Sequence, residues 1–159
     1  MFNDISLYEK VVAKLIKSGL HISFAESCTG GLCSGALVSV ADASKVLDVS
    51  FVTYANEAKM RFLGVKEKTI KEFGVVSEEV AYEMAAGVAQ TAESEVGVGV
   101  TGVAGPTGGT AKKPVGMVCF GICINSAVKT FTCCFGEIGR NEVRRQSVDF
   151  VFEKLDELL

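Results

Sequence analysis

A serine that could act as a nucleophile stands in the segment ESCTGG at residues 26–31. Residues 21–25 predict a β-strand and residues 32–40 predict a helix, so Ser27 would lie between the carboxyl end of a strand and a helix N-terminus. Backbone N–H groups at such a place can bind a phosphate or hold a developing oxyanion. The alternative is that Ser27 or Thr29 only caps the helix.

A serine nucleophile needs a base, and His21 and Lys59 are the candidates. His21 opens the strand that ends near Ser27, so at about 3.3 Å per residue it would lie on the order of 20 Å away. Lys59 follows a second predicted strand and has Tyr54 five residues before it, whose hydroxyl could pass a proton between the serine and the lysine. A lysine acts as a base at neutral pH only when its environment lowers its pKa from about 10.4. The alternative for Lys59 is an exposed helix charge.

A glycine-rich loop, TGVAGPTGG at residues 101–109, follows a third predicted strand. Its glycines, Gly102 and Gly105 among them, would let backbone N–H groups approach a phosphate-bearing small molecule, although a flexible surface loop is the alternative. The letters GVGVTG at 97–102 fit a dinucleotide motif, but they are predicted to form the strand itself, so we reject that interpretation. Arg140 precedes the last helix, whose N-terminus would favour a phosphate or carboxylate beside the guanidinium.

The order of the predicted elements indicates an α/β fold. From the amino terminus they are a helix capped by Ser6 and ending at Gly19, a strand at 21–25, a helix at 32–40, a strand at 49–54, short helices at 55–63 and 66–73, a helix capped by Ser77, a strand at 96–100, hairpin strands at 115–124 and 128–135, and a helix at 141–158. We predict a single domain over residues 1–159, with three α/β/α layers and a mixed, mostly parallel sheet of about five strands.

Composition excludes several classes of protein. The chain has 159 residues, 48% apolar and 22% charged, which is typical of one globular domain. Its net charge of −3 gives no general attraction to nucleic acid or to an anionic membrane. No apolar run is long enough for a membrane span, and the first residues do not resemble a signal peptide, so we expect a cytoplasmic protein. The six cysteines lack C-x-x-C spacing and predict buried thiols rather than a metal site. Arg144 and Arg145 are expected to be surface charges.

A series of ordered motifs resembles the CinA C-terminal domain family. The motifs are AESCTGG (25–31), FVTYANEAK (51–59), LGV (63–65), GVVSEEVAYEMAAG (74–87), TGVAGPTGG (101–109), KPVGMV (113–118) and GRNEVRR (139–145). The resemblance runs through about residues 6–158. The best characterised activity of this family is nicotinamide-nucleotide amidohydrolase, also called nicotinamide mononucleotide deamidase.

The resemblance implies hydrolysis of the carboxamide of nicotinamide mononucleotide to nicotinate mononucleotide and ammonia, in pyridine nucleotide recycling. It implies no metal and no redox cofactor. The catalytic positions fall on Ser27 as nucleophile and on Tyr54 and Lys59 as the base. The substrate-binding positions fall on Cys28, Thr29, Gly30, Gly31, Thr101, Gly102, Gly105 and Arg140. The backbone N–H groups from Cys28 to Gly31 would hold the oxyanion. The family usually has GDR where this sequence has Gly139-Arg140 after Ile138.

Two other classes of function stay open at this point. One is a non-catalytic nucleotide-binding or interaction domain of a competence- or DNA-damage-inducible CinA-type protein, which could lose Lys59 while keeping the glycine loops. The other is a metal-dependent phosphohydrolase, against which the scattered acidic residues argue. The family implies a homodimer or a higher homo-oligomer that binds a small pyridine nucleotide, with no nucleic acid or membrane partner. In many relatives this domain follows a larger nucleotide-hydrolysing domain, so we expect either a stand-alone form or one part of such a protein.

Overall fold

Five strands form the sheet of the computed structural model, which describes residues 5–159. They are β1 (Ile22–Glu26), β2 (Phe51–Val52), β3 (Val96–Gly102), β4 (Met117–Ile124) and β5 (Ala127–Cys134). Their order across the sheet is β2-β1-β3-β4-β5. The pairs β1–β2 and β1–β3 are parallel, and β4 is antiparallel to both β3 and β5. Among these strands, β4 alone therefore runs against the other four.

Helices cover both faces of the sheet. They are α1 (Ile5–Ser18), α2 (Leu32–Val38), α3 (Asn56–Leu63), α4 (Glu67–Phe73), α5 (Glu78–Ala92) and α6 (Arg140–Leu158), with a 3-10 turn at Ala43–Lys45. Helices α1, α2 and α6 pack on one face, and α3, α4 and α5 pack on the other. The predicted three-layer fold with a mixed sheet is thus confirmed. None of these helices, within residues 5–159, combines the length and the apolar character needed to cross a membrane.

Glycines on one face of β3 and β4 let α5 lie directly against the centre of the sheet. A Cβ atom on Gly97 would stand 2.3 Å from the Ala85 carbonyl oxygen, and one on Gly121 would stand 2.3 Å from that of Ala81. Gly99 is equally confined, at 2.6 Å from the Ala81 carbonyl oxygen. These glycines serve close helix–sheet packing, so the GVGVTG letters belong to a buried strand rather than to a dinucleotide-binding turn.

Several predicted boundaries were wrong. The second strand is Phe51–Val52 rather than 49–54, because this edge strand pairs only with the end of β1 and the chain then leaves the sheet toward α3. Strand β1 lies one residue later than predicted and includes Glu26. Helix α2 ends at Val38 rather than at residue 40. Ser6 lies inside α1 instead of capping it.

All six cysteines are free thiols. Four of them, Cys28, Cys33, Cys119 and Cys123, are buried, whereas Cys133 is half-buried and Cys134 is exposed. Burial raises the pKa of the Cys28 thiol to about 12, so this neighbour of Ser27 stays protonated near neutral pH. Within residues 5–159, no group of three or more His, Cys, Asp or Glu side chains is placed to hold a metal ion.

Candidate active site

Ser27 and Lys59 come together at the carboxyl end of the parallel strands. Ser27 is the first residue after β1, and its N–H donates to the Val100 carbonyl of β3 at 3.0 Å. Lys59 lies in the first turn of α3. Its Nζ atom stands 3.0 Å from the Ser27 Oγ atom. The sequence placed Ser27 and Lys59 only after the ends of two strands. In the structure they are in direct contact.

Lys59 is buried without a counterion. Its side chain is only 1% exposed, and no carboxylate within residues 5–159 lies at ion-pair distance from it. Burial lowers the pKa of Lys59 to about 8, because an ammonium loses solvation when water is excluded. About a tenth of this lysine is therefore uncharged at pH 7, far more than for a lysine with an ordinary pKa. The alternative of an exposed helix charge is excluded.

The hydrogen bonds of Lys59 direct its lone pair at the serine. The Nζ atom lies 2.7 Å from the Thr53 carbonyl oxygen and 3.3 Å from the Tyr54 carbonyl oxygen. An uncharged amine has two N–H bonds and one lone pair. When the two N–H bonds point at these two carbonyls, the lone pair faces Ser27 Oγ and can accept its proton. The contacts of Lys59 thus suit a general base for a serine nucleophile.

Glu26 occupies the N-terminus of α2, where the sequence predicted a bound phosphate or oxyanion. Its carboxylate is fully buried and accepts hydrogen bonds from the N–H groups of Gly31, Cys33 and Ser34, at 2.9–3.0 Å, and from the Ser34 hydroxyl at 3.0 Å. Such a carboxylate compensates both the unpaired amides and the positive end of α2. A phosphate or an oxyanion cannot bind there, so that expectation was wrong. The local signal was an acidic residue six positions before the predicted helix start.

Of the four backbone N–H groups of residues 28–31 that were expected to hold the oxyanion, two remain available. The Gly31 N–H donates to Glu26, and the Gly30 N–H donates to the Ser27 carbonyl at 3.1 Å. Within the described part of the chain, the N–H groups of Cys28 and Thr29 have no acceptor in another residue. Gly30 and Gly31 have φ angles of +59° and +94°, which allow the tight turn around these two amides.

Replacement of Glu26 should destabilise the fold. In Glu26→Gln one acceptor oxygen becomes an NH2 group, which faces N–H donors and leaves buried amides of α2 unpaired. We expect the free energy of unfolding to fall by about 2–4 kcal/mol. Urea denaturation would measure it, with the exposed Glu72→Gln as the matched control. Equal, small changes in both variants would contradict the assigned role of Glu26.

Tyr54 and Arg140 form a second pair at the mouth of the site. Arg140, the first residue of α6, donates from Nη2 to the Tyr54 hydroxyl and from Nη1 to the Gly105 carbonyl, each at 2.9 Å. Tyr54 is 60% exposed, and its hydroxyl is held by Arg140. Only its backbone carbonyl contacts Lys59. The structure therefore gives no geometric support to a proton relay through the Tyr54 hydroxyl.

The other residues predicted to bind substrate either lie inside the protein or make contacts only through their backbone. Thr101 is buried, and its hydroxyl donates to the Val75 carbonyl at 2.9 Å, which ties β3 to the segment before α5. A Cβ atom on Gly102 would stand 2.7 Å from Val118 Cγ2. At both positions the side-chain direction is taken up by other parts of the protein, in contrast to the expectation from sequence. Of the loop glycines, Gly105 alone meets the site, through its carbonyl contact with Arg140.

His21 lies at the opposite end of β1 from Ser27 and contacts Asp48 through Nδ1 at 2.6 Å, which confirms that it is not the base.

Arg144 was expected to be a surface charge, and this was wrong. Its guanidinium contacts the carbonyl groups of Cys28 and Thr29, directly after the candidate nucleophile. The contact spans more than a hundred residues of sequence, so no local pattern could have indicated it.

Comparisons with known proteins agree with this architecture. A model of the CinA C-terminal domain matches residues 4–159. A CinA-like protein of Kosmotoga olearia is 48% identical over 152 residues, which cover 93% of this chain and 36% of that protein. The chain spans about a third of the length of the curated relatives it matches.

Solved structures give the same result. The crystal structure of the competence/damage inducible protein CihA from Agrobacterium tumefaciens has a TM-score of 0.95 at 42% identity, covering 99% of this chain and 98% of that one. A competence-damaged protein (CinA) superfamily structure from Escherichia coli has a TM-score of 0.94 at 34% identity, covering 99% and 91%. The chain therefore belongs to the CinA C-terminal domain family.

Proposed function

We propose that this protein is a serine amidohydrolase that converts nicotinamide mononucleotide to nicotinate mononucleotide and ammonia. The observation that carries the proposal is the 3.0 Å contact between Ser27 Oγ and the buried Nζ of Lys59. The substrate follows from the resemblance of the site motifs to those of nicotinamide-nucleotide amidohydrolases. A serine hydroxyl with an uncharged lysine beside it suits attack on a carboxamide.

The proposed reaction begins when Lys59 takes the hydroxyl proton of Ser27 and Oγ bonds to the carboxamide carbon. The N–H groups of Cys28 and Thr29 hydrogen-bond to the negative oxygen that forms. The Lys59 ammonium then protonates the amide nitrogen, the C–N bond breaks and ammonia leaves. Lys59 next takes a proton from water, whose oxygen attacks the ester on Ser27. Breakage of that ester releases the carboxylate and returns the proton to Ser27.

Arg140 is proposed to bind the phosphate of the nucleotide. A guanidinium at the first residue of a helix is disfavoured by the positive end of the helix dipole. A bound phosphate would be attracted by both the guanidinium and the dipole, which offsets that cost. Arg140 also contacts the loop after β3 through Gly105, so it lies between that loop and Tyr54.

The alternative of a non-catalytic binding domain explains less of the site. A nucleotide can be held by glycine loops and by Arg140 without any buried amine. Burying an ammonium without a carboxylate partner is costly, so a binding domain has no reason to keep Lys59 in this position. An uncharged lysine directed at a serine hydroxyl suits the activation of that serine for amide hydrolysis.

Product analysis tests the proposed function directly. The protein would be incubated with nicotinamide mononucleotide, nicotinamide riboside and nicotinamide, with and without a chelator, while ammonia and the acid product are measured. We expect equal amounts of ammonia and nicotinate mononucleotide, unchanged by the chelator, and slower turnover of the two compounds that lack phosphate. Tight binding of the nucleotide without ammonia release would favour the non-catalytic alternative.

Tyr54→Phe separates direct proton transfer from a relay. The variant loses the hydroxyl that accepts from Arg140 but keeps the backbone carbonyl that accepts from Lys59. We expect KM for nicotinamide mononucleotide to rise about fivefold, with kcat within about threefold of the wild type. Steady-state kinetics would measure both, with the exposed Tyr82→Phe as control. A fall in kcat of about 10²-fold would instead support the relay.

A further inference from the structure

Arg144 holds two successive carbonyl groups of the loop that follows Ser27. Its Nε donates to the Cys28 carbonyl and its Nη2 donates to the Thr29 carbonyl, each at 3.0 Å. The remaining nitrogen, Nη1, donates to the Asn141 side chain at 3.2 Å. Gly30 has a φ of +59°, and a Cβ atom there would stand 3.4 Å from Nη2, so the loop turns closely around the guanidinium. All three guanidinium nitrogens are therefore engaged.

Because the peptide bond is planar, the contact of Arg144 with two carbonyl groups also fixes the direction of the N–H groups in the same peptide units. The C=O and N–H groups of one trans peptide point in opposite directions. The Cys28 carbonyl shares its peptide unit with the Thr29 N–H, so Arg144 turns that N–H away from α6. The Thr29 carbonyl shares its unit with the Gly30 N–H, which donates back to the Ser27 carbonyl. Of these two amides, the Thr29 N–H is the one left to donate to a ligand.

We propose that Arg144 is a positioning residue that fixes the Thr29 N–H as an oxyanion donor for the Ser27 reaction. This inference rests on the proposed function, since an oxyanion forms only if Ser27 attacks. Arg140 lies four residues earlier on α6, hence on the same helix face. One helix thus carries both the group proposed to bind the phosphate and the group that sets the oxyanion donor.

Arg145 is the matched control for this role. It lies next to Arg144 on α6 but pairs with Glu142 and Asp149 of its own helix. It has the same charge and the same side-chain length, and it makes no contact with the loop after Ser27 among the described residues. A general effect of removing a positive charge from α6 would appear in both positions.

Kinetics of Arg144→Ala, Arg144→Lys and Arg145→Ala with nicotinamide mononucleotide test the proposal. We expect both Arg144 variants to lower kcat by about 10²-fold with KM within about threefold, because one oxyanion donor loses its orientation. Lysine fails because one ammonium does not reproduce the two-point contact. Added guanidinium at a non-denaturing concentration should partly restore Arg144→Ala and leave Arg145→Ala unchanged. A rise in KM alone, or equal effects at both positions, would overturn the proposal.

Labelling of Ser27 by a fluorophosphonate separates this inference from the proposed function. Lys59 takes the hydroxyl proton, the Ser27 oxygen displaces fluoride from phosphorus and the phosphoryl oxygen takes the oxyanion position, so no amide substrate is involved. We expect labelling of Arg144→Ala and Arg144→Lys to be about 10-fold or more slower than that of the wild type. A wild type that is labelled but releases no ammonia would overturn only the amidohydrolase. Equal labelling rates in folded variants would overturn the role of Arg144, and an unlabelled wild type would overturn both.

Discussion

Ser27→Ala is expected to lose ammonia release from nicotinamide mononucleotide by about 10⁴–10⁶-fold. The variant lacks the oxygen proposed to bond to the carboxamide carbon, whereas the proposed phosphate contact and oxyanion donors stay in place. The fold should be unaffected, because among residues 5–159 the Ser27 hydroxyl hydrogen-bonds to Lys59 alone, and the two carbonyl contacts of Lys59 remain. Binding of the nucleotide should therefore persist.

The measurement is a coupled ammonia assay on purified protein, with circular dichroism and thermal unfolding to check the fold. Ser44→Ala, at an exposed position in the 3-10 turn, is the control and should keep wild-type turnover. Folded Ser27→Ala with wild-type activity would contradict the assignment of the nucleophile.

Lys59→Arg is expected to lower kcat by about 10³–10⁴-fold while retaining nucleotide binding. A guanidinium keeps the positive charge and the hydrogen-bond donors but does not deprotonate in a protein, so it cannot accept the Ser27 proton. Turnover and binding would be measured in parallel, with the exposed Lys68→Arg as control. Retention of wild-type kcat would show that Lys59 is not the base.

The same residue determines the expected pH dependence of the rate. Lys59 must be uncharged to act as a base, and its pKa is lowered to about 8. We therefore expect kcat/KM of the wild type to rise with pH through about 8 and to level off above it. A rate that falls across this range would contradict the assignment of Lys59.

The lowered pKa of Lys59 should also make the free energy of unfolding depend on pH. The ordinary pKa of Lys59 is 10.5, so between pH 8 and pH 10.5 the unfolded chain binds a proton that the folded chain does not. The free energy of unfolding contributed by this group therefore rises with pH in that window. Relative to Lys59→Met, the wild type should gain about 1–3 kcal/mol, measured by urea denaturation. Parallel pH profiles would contradict a buried, uncharged lysine.

The sequence predicted the fold and the approximate place of the site because both follow from local patterns. Alternating strands and helices indicated the three layers, and Ser27 and Lys59 each followed a predicted strand. The carboxyl ends of parallel strands meet at one edge of the sheet, so their proximity could be expected. The burial of Lys59 could not, because it depends on the packing of α3 against the sheet rather than on its neighbours in sequence.

Within the candidate site, several features that the sequence did not predict concern where a side chain points. Tyr54 and Lys59 were both assigned to proton transfer, yet the Tyr54 hydroxyl turns to Arg140 of α6. No role was predicted for Glu26, whereas its carboxylate is buried at the start of α2. These orientations are fixed by tertiary hydrogen bonds, which leave no periodic signal along the chain.

The most direct test of the proposed chemistry is interception of the ester on Ser27 by hydroxylamine during turnover of nicotinamide mononucleotide. Hydroxylamine attacks the ester carbon in place of water, so the hydroxamate of the nucleotide forms and Ser27 is regenerated. We predict that wild type yields hydroxamate and nicotinate mononucleotide together, with their sum equal to the ammonia released, and that Ser27→Ala yields neither. Continued hydrolysis to the acid alone at high hydroxylamine, at an unchanged rate, would contradict an acyl-enzyme on Ser27.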